Sequence, residues 1–547
     1  MRRIVDFLNS FRAPWFLAIG AAVCMSVFAV WWGGLNQDEG WYLYAAQLVH
    51  DGKLPYRDFF FTQGPTMPFV YSVLSPLWRT AGSPLHGLLG GRVVTLMFGF
   101  GTIVAAVALV RRLVSAERRG LAGLAVFAML GCNLYHLYFV TIPKTYALGG
   151  LFVMVGFLLL VCGLKSAAPI LGKVVSPSSA APILGKAVLF AAGLSLAFAS
   201  GTRISLILLL PVVGGLLLLR FRTFRWSFLW FGLGGAAGLF LTYGLFALDP
   251  PSLRTLLAAQ SYHAARGGFD PFFALGSVSR LLRGYAALGV LGVAAAFLSR
   301  GGRLQAMAAD DAARLTLWAL VVGFLAVFFL QLSAPFPYDD YQVPIMGMLV
   351  VAVVVWFARS RGEEQASFAR EAWFVVLVAC GISFVSPLLQ EWATYAQDRF
   401  WSQKKVMTEL AKLRQVGREI KCLDPGGKTL LTQDLYLAIE TGRIVPSGLE
   451  MGPFCYFPDW PTDKARSLHV MNRDLMAELL EAAPCPLAAC SGYSFAVAAP
   501  SCHETPFDEQ KRFFSLLKKN YEWVDTSAKF GQNATTLLVL KRREARK

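Results

Sequence analysis

What most constrains this chain is a series of about eleven apolar runs, near 15–33, 88–110, 121–139, 146–163, 187–202, 204–219, 226–247, 284–299, 315–333, 342–358 and 372–390. A bilayer's hydrocarbon core takes about 20 helical residues to cross, and only a helix or a closed barrel satisfies its own backbone there. Runs of this length and number predict a polytopic α-helical membrane protein. Hydrophobic residues make up 56% of the chain and charged residues 16%, which fits a protein solvated mostly by lipid. The net charge of +17 would suit a nucleic-acid partner only if the basic residues clustered on a soluble face. Here they punctuate the apolar runs, so no nucleic acid is expected.

Their distribution orients the chain. With the N-terminus in the cytoplasm, the inner connections carry Arg2, Arg3, Arg12, the groups around Arg111–Arg119, Lys165–Lys186 and Arg220–Arg225, then Arg300–Arg314 and Arg359–Arg370. That is roughly 19 basic residues in some 80 inner positions against about 8 in some 105 outer ones, and the positive-inside rule selects this orientation. The C-terminus then lies outside. The first run is too long for a signal peptide and lacks a small-x-small end, so it reads as an uncleaved helix. The short runs 187–202 and 204–219 flank Gly201-Thr202-Arg203 and form either two crossings or a re-entrant hairpin. An Arg at that depth is costly unless it faces a polar cavity or the interface. The segment Ser166–Val175 recurs at Ser179–Val188, a short tandem duplication in an inner loop.

Two outer regions remain. The loop 34–87 opens with Asn36-Gln-Asp38-Glu39 where the chain leaves the first span, and it predicts helices near 39–51 and 66–80 around an aromatic turn segment, Pro55-Tyr-Arg57-Asp58-Phe-Phe-Phe-Thr-Gln63-Gly-Pro65. Carboxylates, aromatics and both charge signs in one loop suit sugar and phosphate recognition. Residues 391–547 are less apolar and alternate helix and strand signals, with strands expected at 428–432, 494–499 and 535–541 and helices at 403–421, 434–441, 463–483 and 507–520. They predict an extracytoplasmic α/β domain large enough to bury its own core. Cys422, Cys455, Cys485, Cys490 and Cys502 all fall in it, where disulfides persist.

The order of an inner N-terminus, one helix, an outward Asp-Glu, the 34–87 loop and many further helices resembles the GT-C glycosyltransferases. It is most similar to the branch of protein O-mannosyltransferases, the lipid A aminoarabinose transferase and the rhizobial lipopolysaccharide core transferases. The likeness is specific over about residues 30–110 and topological from there to 390; Ser447–Pro458 also resembles soluble tails of bacterial members. It implies a GT-C-like transmembrane domain over 1–390, a polyprenyl-phosphate sugar donor, a lipid, glycan or protein acceptor, and inverting transfer on the outer face of the bacterial cytoplasmic membrane. An acidic residue of the first outer loop is the base in that family, and Asp38 matches it, with Glu39 beside it.

The chain departs from the family at the Lys-Pro-Pro element, whose Lys approaches the donor phosphate; Gln63-Gly64-Pro65 stands there instead. Arg57, Arg92, Lys144 and Arg203 are candidate replacements, because a phosphate leaving group needs positive charge more than a proton. On a late outer loop, Asp339-Asp340-Tyr341 can orient the acceptor, hold a divalent metal with Asp38, or cap a helix. No complete metal ligand set is recognisable. Tyr262 and His263 are further candidate acceptor contacts. The competing class is a flippase or transporter, but no second copy of the Asp38 loop marks two related halves. An oligosaccharyltransferase would carry a Trp-Trp-Asp-Tyr-Gly-like element, which is absent.

Overall fold

The computed structural model describes residues 12–80, 82–167, 180–224, 226–264, 268–300, 310–360, 368–386, 388–389, 407–492 and 505–543. All eleven apolar runs are helical there. Among the described residues, seven helices are long and apolar enough to cross a bilayer, and an eighth span arises if the bent pair Pro271–Gly284 and Ala286–Ser299 counts as one. Of the other three expected runs, Arg119–Gly131 breaks before Leu134–Phe139, Ile204–Leu219 opens as a tight 3₁₀ turn, and Phe368–Phe384 is described over 17 residues. An apolar run does not reveal where its helix is broken. The first copy of the duplicated segment, Ser166–Val175, lies mostly outside the described residues, whereas the second, Ser179–Val188, begins the helix Ala180–Thr202 instead of a loop.

Small residues let the bundle close tightly. A Cβ on Gly234 would sit 1.9 Å from the Phe190 carbonyl oxygen and one on Gly193 2.0 Å from that of Phe231, so the 180–202 and 227–239 helices touch backbone to backbone. Large side chains such as Val104, Phe240, Leu241 and Phe329 point outward, as they do where the surroundings are lipid.

A second apolar core lies beyond the bundle, and both outer regions build it. Trp41, Tyr44, Phe60, Phe61 and Tyr71 of the 34–87 loop are buried together with Leu435, Tyr436, Met451, Cys455 and Phe457. A Cβ on Gly40 would lie 2.4 Å from the Tyr436 amide nitrogen. The Gln37 side-chain amide donates to the Gln433 carbonyl at 3.1 Å, the Val445 amide to the Tyr44 hydroxyl at 3.0 Å, and the Leu88 amide to Glu440 at 3.1 Å. The boundary near 390 therefore separates chain segments, while the core crosses it.

The C-terminal part holds a three-stranded antiparallel sheet in the order β1-β3-β2, with β1 Leu487–Cys490, β2 Tyr521–Phe530 and β3 Thr535–Arg542. Only β3 was legible as a strand. Residues 428–432 make single bridges, Thr429 with Ile444 and Leu431 with Ala488, and 494–499 lie outside the described residues. The helix expected over 463–483 is two, Thr462–Ser467 and Arg473–Ala482, the second capped by the Asn472 side chain on the Leu475 amide. Cys422, Cys455, Cys485 and Cys490 are free thiols. Cys502 lies outside the described residues.

Candidate active site

Asn36 starts the helix Gln37–His50 and fixes the two carboxylates that follow it. Its side chain accepts from the Asp38 amide at 3.1 Å, and its own amide donates to Glu39 Oε1 at 2.9 Å, a reciprocal capping box. The two acids then diverge by one helical step. Glu39 turns inward and is fully buried, where Arg92 grips it with two bonds of 2.7 Å, Nε to Oε2 and Nη2 to Oε1. The same guanidinium donates to the carbonyls of Val30, Gly33 and Gly34. Glu39 and Arg92, expected as catalytic acid and phosphate clamp, are thus occupied with each other and tie the loop to the end of the first span.

Asp38 stays partly open. Its Oδ1 accepts from Trp41 Nε1 at 3.1 Å and its Oδ2 pairs with Lys144 Nζ at 2.9 Å. The buried Lys144 reaches a second carboxylate, Asp340 Oδ2, at 3.2 Å, and the Tyr146 hydroxyl donates to that same oxygen at 2.9 Å. Burial alone would lower the lysine's pKa, but Asp38 and Asp340 outweigh it and hold the ammonium well above its ordinary value.

Arg203 completes the cluster. It adopts an extended conformation between the 180–202 helix and the 3₁₀ turn Ile204–Leu208. A close contact sets that break against the first loop: a Cβ on Gly64 would lie 2.2 Å from the Gly201 carbonyl oxygen, and one on Gly201 2.1 Å from Thr66 Oγ1. The guanidinium lies 4.2 Å from the Tyr341 ring centre and 5.4 Å from that of Tyr146. It makes no ion pair with a carboxylate among the described residues, so a cation stands beside Lys144 with its charge unmet.

Asp38, Lys144, Arg203, Asp340 and Tyr341, named separately from sequence, meet in one place. Asp339 faces elsewhere, accepting from the Tyr135 hydroxyl at 2.6 Å and from Arg280 Nε at 2.9 Å. Arg57 and Asp58 pair with each other at 2.9 Å on the surface, and Asp58 also accepts from the Leu54 amide, a loop-shaping role. Gln63 offers its carbonyl to the Tyr56 hydroxyl. The side chains of Tyr262 and His263 lie outside what is described. Trp41 and Tyr146 were missed, although their spacing from Asp38 (i, i+3) and from Lys144 was a readable signal. No group of three His, Cys, Asp or Glu side chains among the described residues comes together as a metal site. An ammonium fills the gap between Asp38 and Asp340, and these residues do not fit a divalent cation.

No protein-family model matches the sequence, and no curated protein matches it. Solved structures do. ArnT from Cupriavidus metallidurans in the apo state aligns with a TM-score of 0.61 over 97% of this chain and 98% of its own, at 14% identity. The same protein bound to undecaprenyl phosphate gives 0.58 over 96% and 97%, at 11% identity. The chain has the GT-C fold. An oligosaccharyltransferase from Archaeoglobus fulgidus, tethered to an acceptor peptide, shares this GT-C architecture at a TM-score of 0.52 and 11% identity, covering 97% of this chain and 74% of its own. In this fold the Asp38 cluster lies where the first loop, the 180–219 break and the 339–342 turn converge.

Proposed function

We propose that the protein is an inverting glycosyltransferase that moves a sugar from a polyprenyl-phosphate carrier to a lipid, glycan or protein acceptor on the outer face of the bacterial cytoplasmic membrane. In this reading the N-terminus is cytoplasmic and the 407–543 region extracytoplasmic. The single observation that carries it is the pairing of one accessible carboxylate, Asp38, with two adjacent cations, Lys144 and Arg203, of which the second has no ion pair with a carboxylate among the described residues. The likeness to an ArnT structure holding undecaprenyl phosphate supports a lipid-phosphate donor.

The chemistry balances with these groups alone. The acceptor hydroxyl oxygen attacks the anomeric carbon while Asp38 takes its proton. The bond from that carbon to the phosphate oxygen breaks, its electron pair stays on the phosphate, and configuration inverts. Negative charge grows on the departing phosphate, where Lys144 and Arg203 stabilise it without needing to protonate it. A donor phosphate also competes with Asp38 for Lys144, so donor binding loosens the ion pair and frees the base.

Asp38→Asn keeps the size of the side chain and the bond from Trp41 but removes the basic oxygen. Its rate of sugar release from polyprenyl-phosphate donors should fall about 10²–10⁴-fold, with donor binding retained. Near-normal turnover in this variant, with Asp340→Asn inactive, would move the base to the late turn; no sugar release by the wild-type protein, with the donor moved between leaflets, would favour a flippase.

A further inference from the structure

A cavity of about 490 Å³ opens at the end of the bundle that carries Asp339. Met129, Phe139, Ala287, Ala379, Ile382 and Leu388 make its walls apolar, and Arg280, Arg283 and Asp339 stand at its polar end. The Pro271–Gly284 helix meets the next helix at 74° and so lies across the bundle end. It exposes Phe272, Leu275 and Leu282, and across the opening Phe384 and Val385 are also exposed, so the cavity borders the lipid-facing flank. Gly284 makes the bend fit, since a Cβ there would come within 2.7 Å of the Tyr135 ring. Arg280 is engaged with Asp339, whereas Arg283 is exposed and makes no ion pair among the described residues.

We propose that this cavity binds the acyl part of an anionic acceptor lipid, with Arg283 holding its headgroup; this deepens the transferase reading and rests on it. Three observations support a lipid acceptor. A soluble glycan or protein would leave the apolar walls facing water, at about 25 cal/mol per Å². The unmet charge of Arg283 at the mouth complements an anionic headgroup. The third observation separates acceptor from donor. Asp339 and Asp340 are consecutive but face different partners, Asp340 turning to Lys144 and Tyr146 and Asp339 to Tyr135 and Arg280. The cavity shares no lining residue with the Lys144 cluster. An inverting displacement needs the attacking oxygen and the departing phosphate on opposite sides of the anomeric carbon. With Lys144 and Arg203 on the Asp340 side, the Asp339 side is left for the acceptor.

The test uses the full-length protein in phosphatidylcholine vesicles with phosphatidic acid carrying a photoactivatable acyl chain, and the matching diacylglycerol as a neutral control. Crosslinks from the anionic probe should concentrate on the segments holding Met129, Ala287 and Ile382, and excess undecaprenyl phosphate should not displace them. Arg283→Ala should weaken anionic crosslinking about fivefold, the equivalent of about 1 kcal/mol for one basic side chain at a membrane surface, and leave the neutral control unchanged. Ala287→Phe, which fills the cavity, should abolish crosslinking by both probes. Displacement by undecaprenyl phosphate would assign the cavity to the donor chain and overturn the proposal, as would crosslinks spread evenly over the lipid-facing surface. Sugar release from the donor, measured in parallel with wild type and Asp38→Asn, separates the two readings. If Asp38-dependent release persists without cavity crosslinking, only the acceptor assignment falls; if release is absent, the transferase reading falls and takes this one with it.

Discussion

Glu39→Gln is the substitution that best separates the two neighbouring acids. Glu39 is fully buried and holds Arg92 with two bonds of 2.7 Å, and Arg92 in turn holds the carbonyls of Val30, Gly33 and Gly34. Gln keeps one acceptor oxygen but presents N–H groups to a guanidinium and leaves its charge uncompensated. Removing one partner of a buried pair typically costs about 3–5 kcal/mol. Each kcal/mol lowers Tm by about 2–4 °C for a unit of about 150–250 residues, which is the scale of the outer core. Unfolding of the detergent-solubilised protein, followed by near-ultraviolet dichroism of the buried aromatics, should therefore shift down by about 6–20 °C. Sugar transfer per folded molecule, measured below the transition, should stay within a few-fold of wild type, since Asp38, Lys144 and Arg203 are untouched. An unchanged Tm together with a loss of transfer on the scale of Asp38→Asn would refute this reasoning and make Glu39 a group that acts on substrate.

Gly40→Val should separate the loop from the Leu435–Thr441 helix, because its Cβ has only 2.4 Å to the Tyr436 amide nitrogen; limited proteolysis should then cut within 407–543 while the bundle stays intact. Burial pushes the Glu450 carboxyl up to about 7, so the native state holds a proton that the unfolded chain has released. Stability contributed there is present below the unfolded value near 4.5 and declines as pH rises toward 7, by at most about 3 kcal/mol. Glu450→Gln should flatten the Tm–pH curve across that window. Cys422 is exposed and free; a membrane-impermeant maleimide should label it in intact spheroplasts, whereas Arg119→Cys should react only after permeabilisation, and the reverse pattern would invert the topology.

The apolar runs were legible because they rest on local composition, and Asp38 stood out as an acid where the chain leaves the first of them. Lys144 stood out as a lone charge in an apolar turn and Arg203 as a lone charge between two short runs. That both converge with Asp340 on Asp38 depends on helix packing across residues far apart in sequence, which no local pattern encodes. Glu39 and Arg92 show the opposite failure. An acid beside the expected base and an arginine at a helix end look like site residues, and only the inward turn of one helical step reveals that they satisfy each other. β1 and β2 were missed for a related reason: β1 is four residues long, and β2 is half polar, mostly exposed and bulged at two places, so neither carries a clean alternation.

The core shared between the first loop and the 407–543 region has a consequence for how the protein is made. Gln37 and its partner Gln433 are 396 residues apart. At about 5–20 residues per second of synthesis, the loop leaves the ribosome some 20–80 s before the surface it packs on exists. During that interval Trp41, Tyr44 and Phe60 lack the Phe454, Val445 and Phe457 that they meet in the finished fold. The membrane interface, which accepts aromatic side chains readily, is the nearest shelter. Maturation of this protein therefore ends with a transfer of the loop from lipid headgroups to protein, and the site at Asp38 cannot be assembled until the last quarter of the chain arrives.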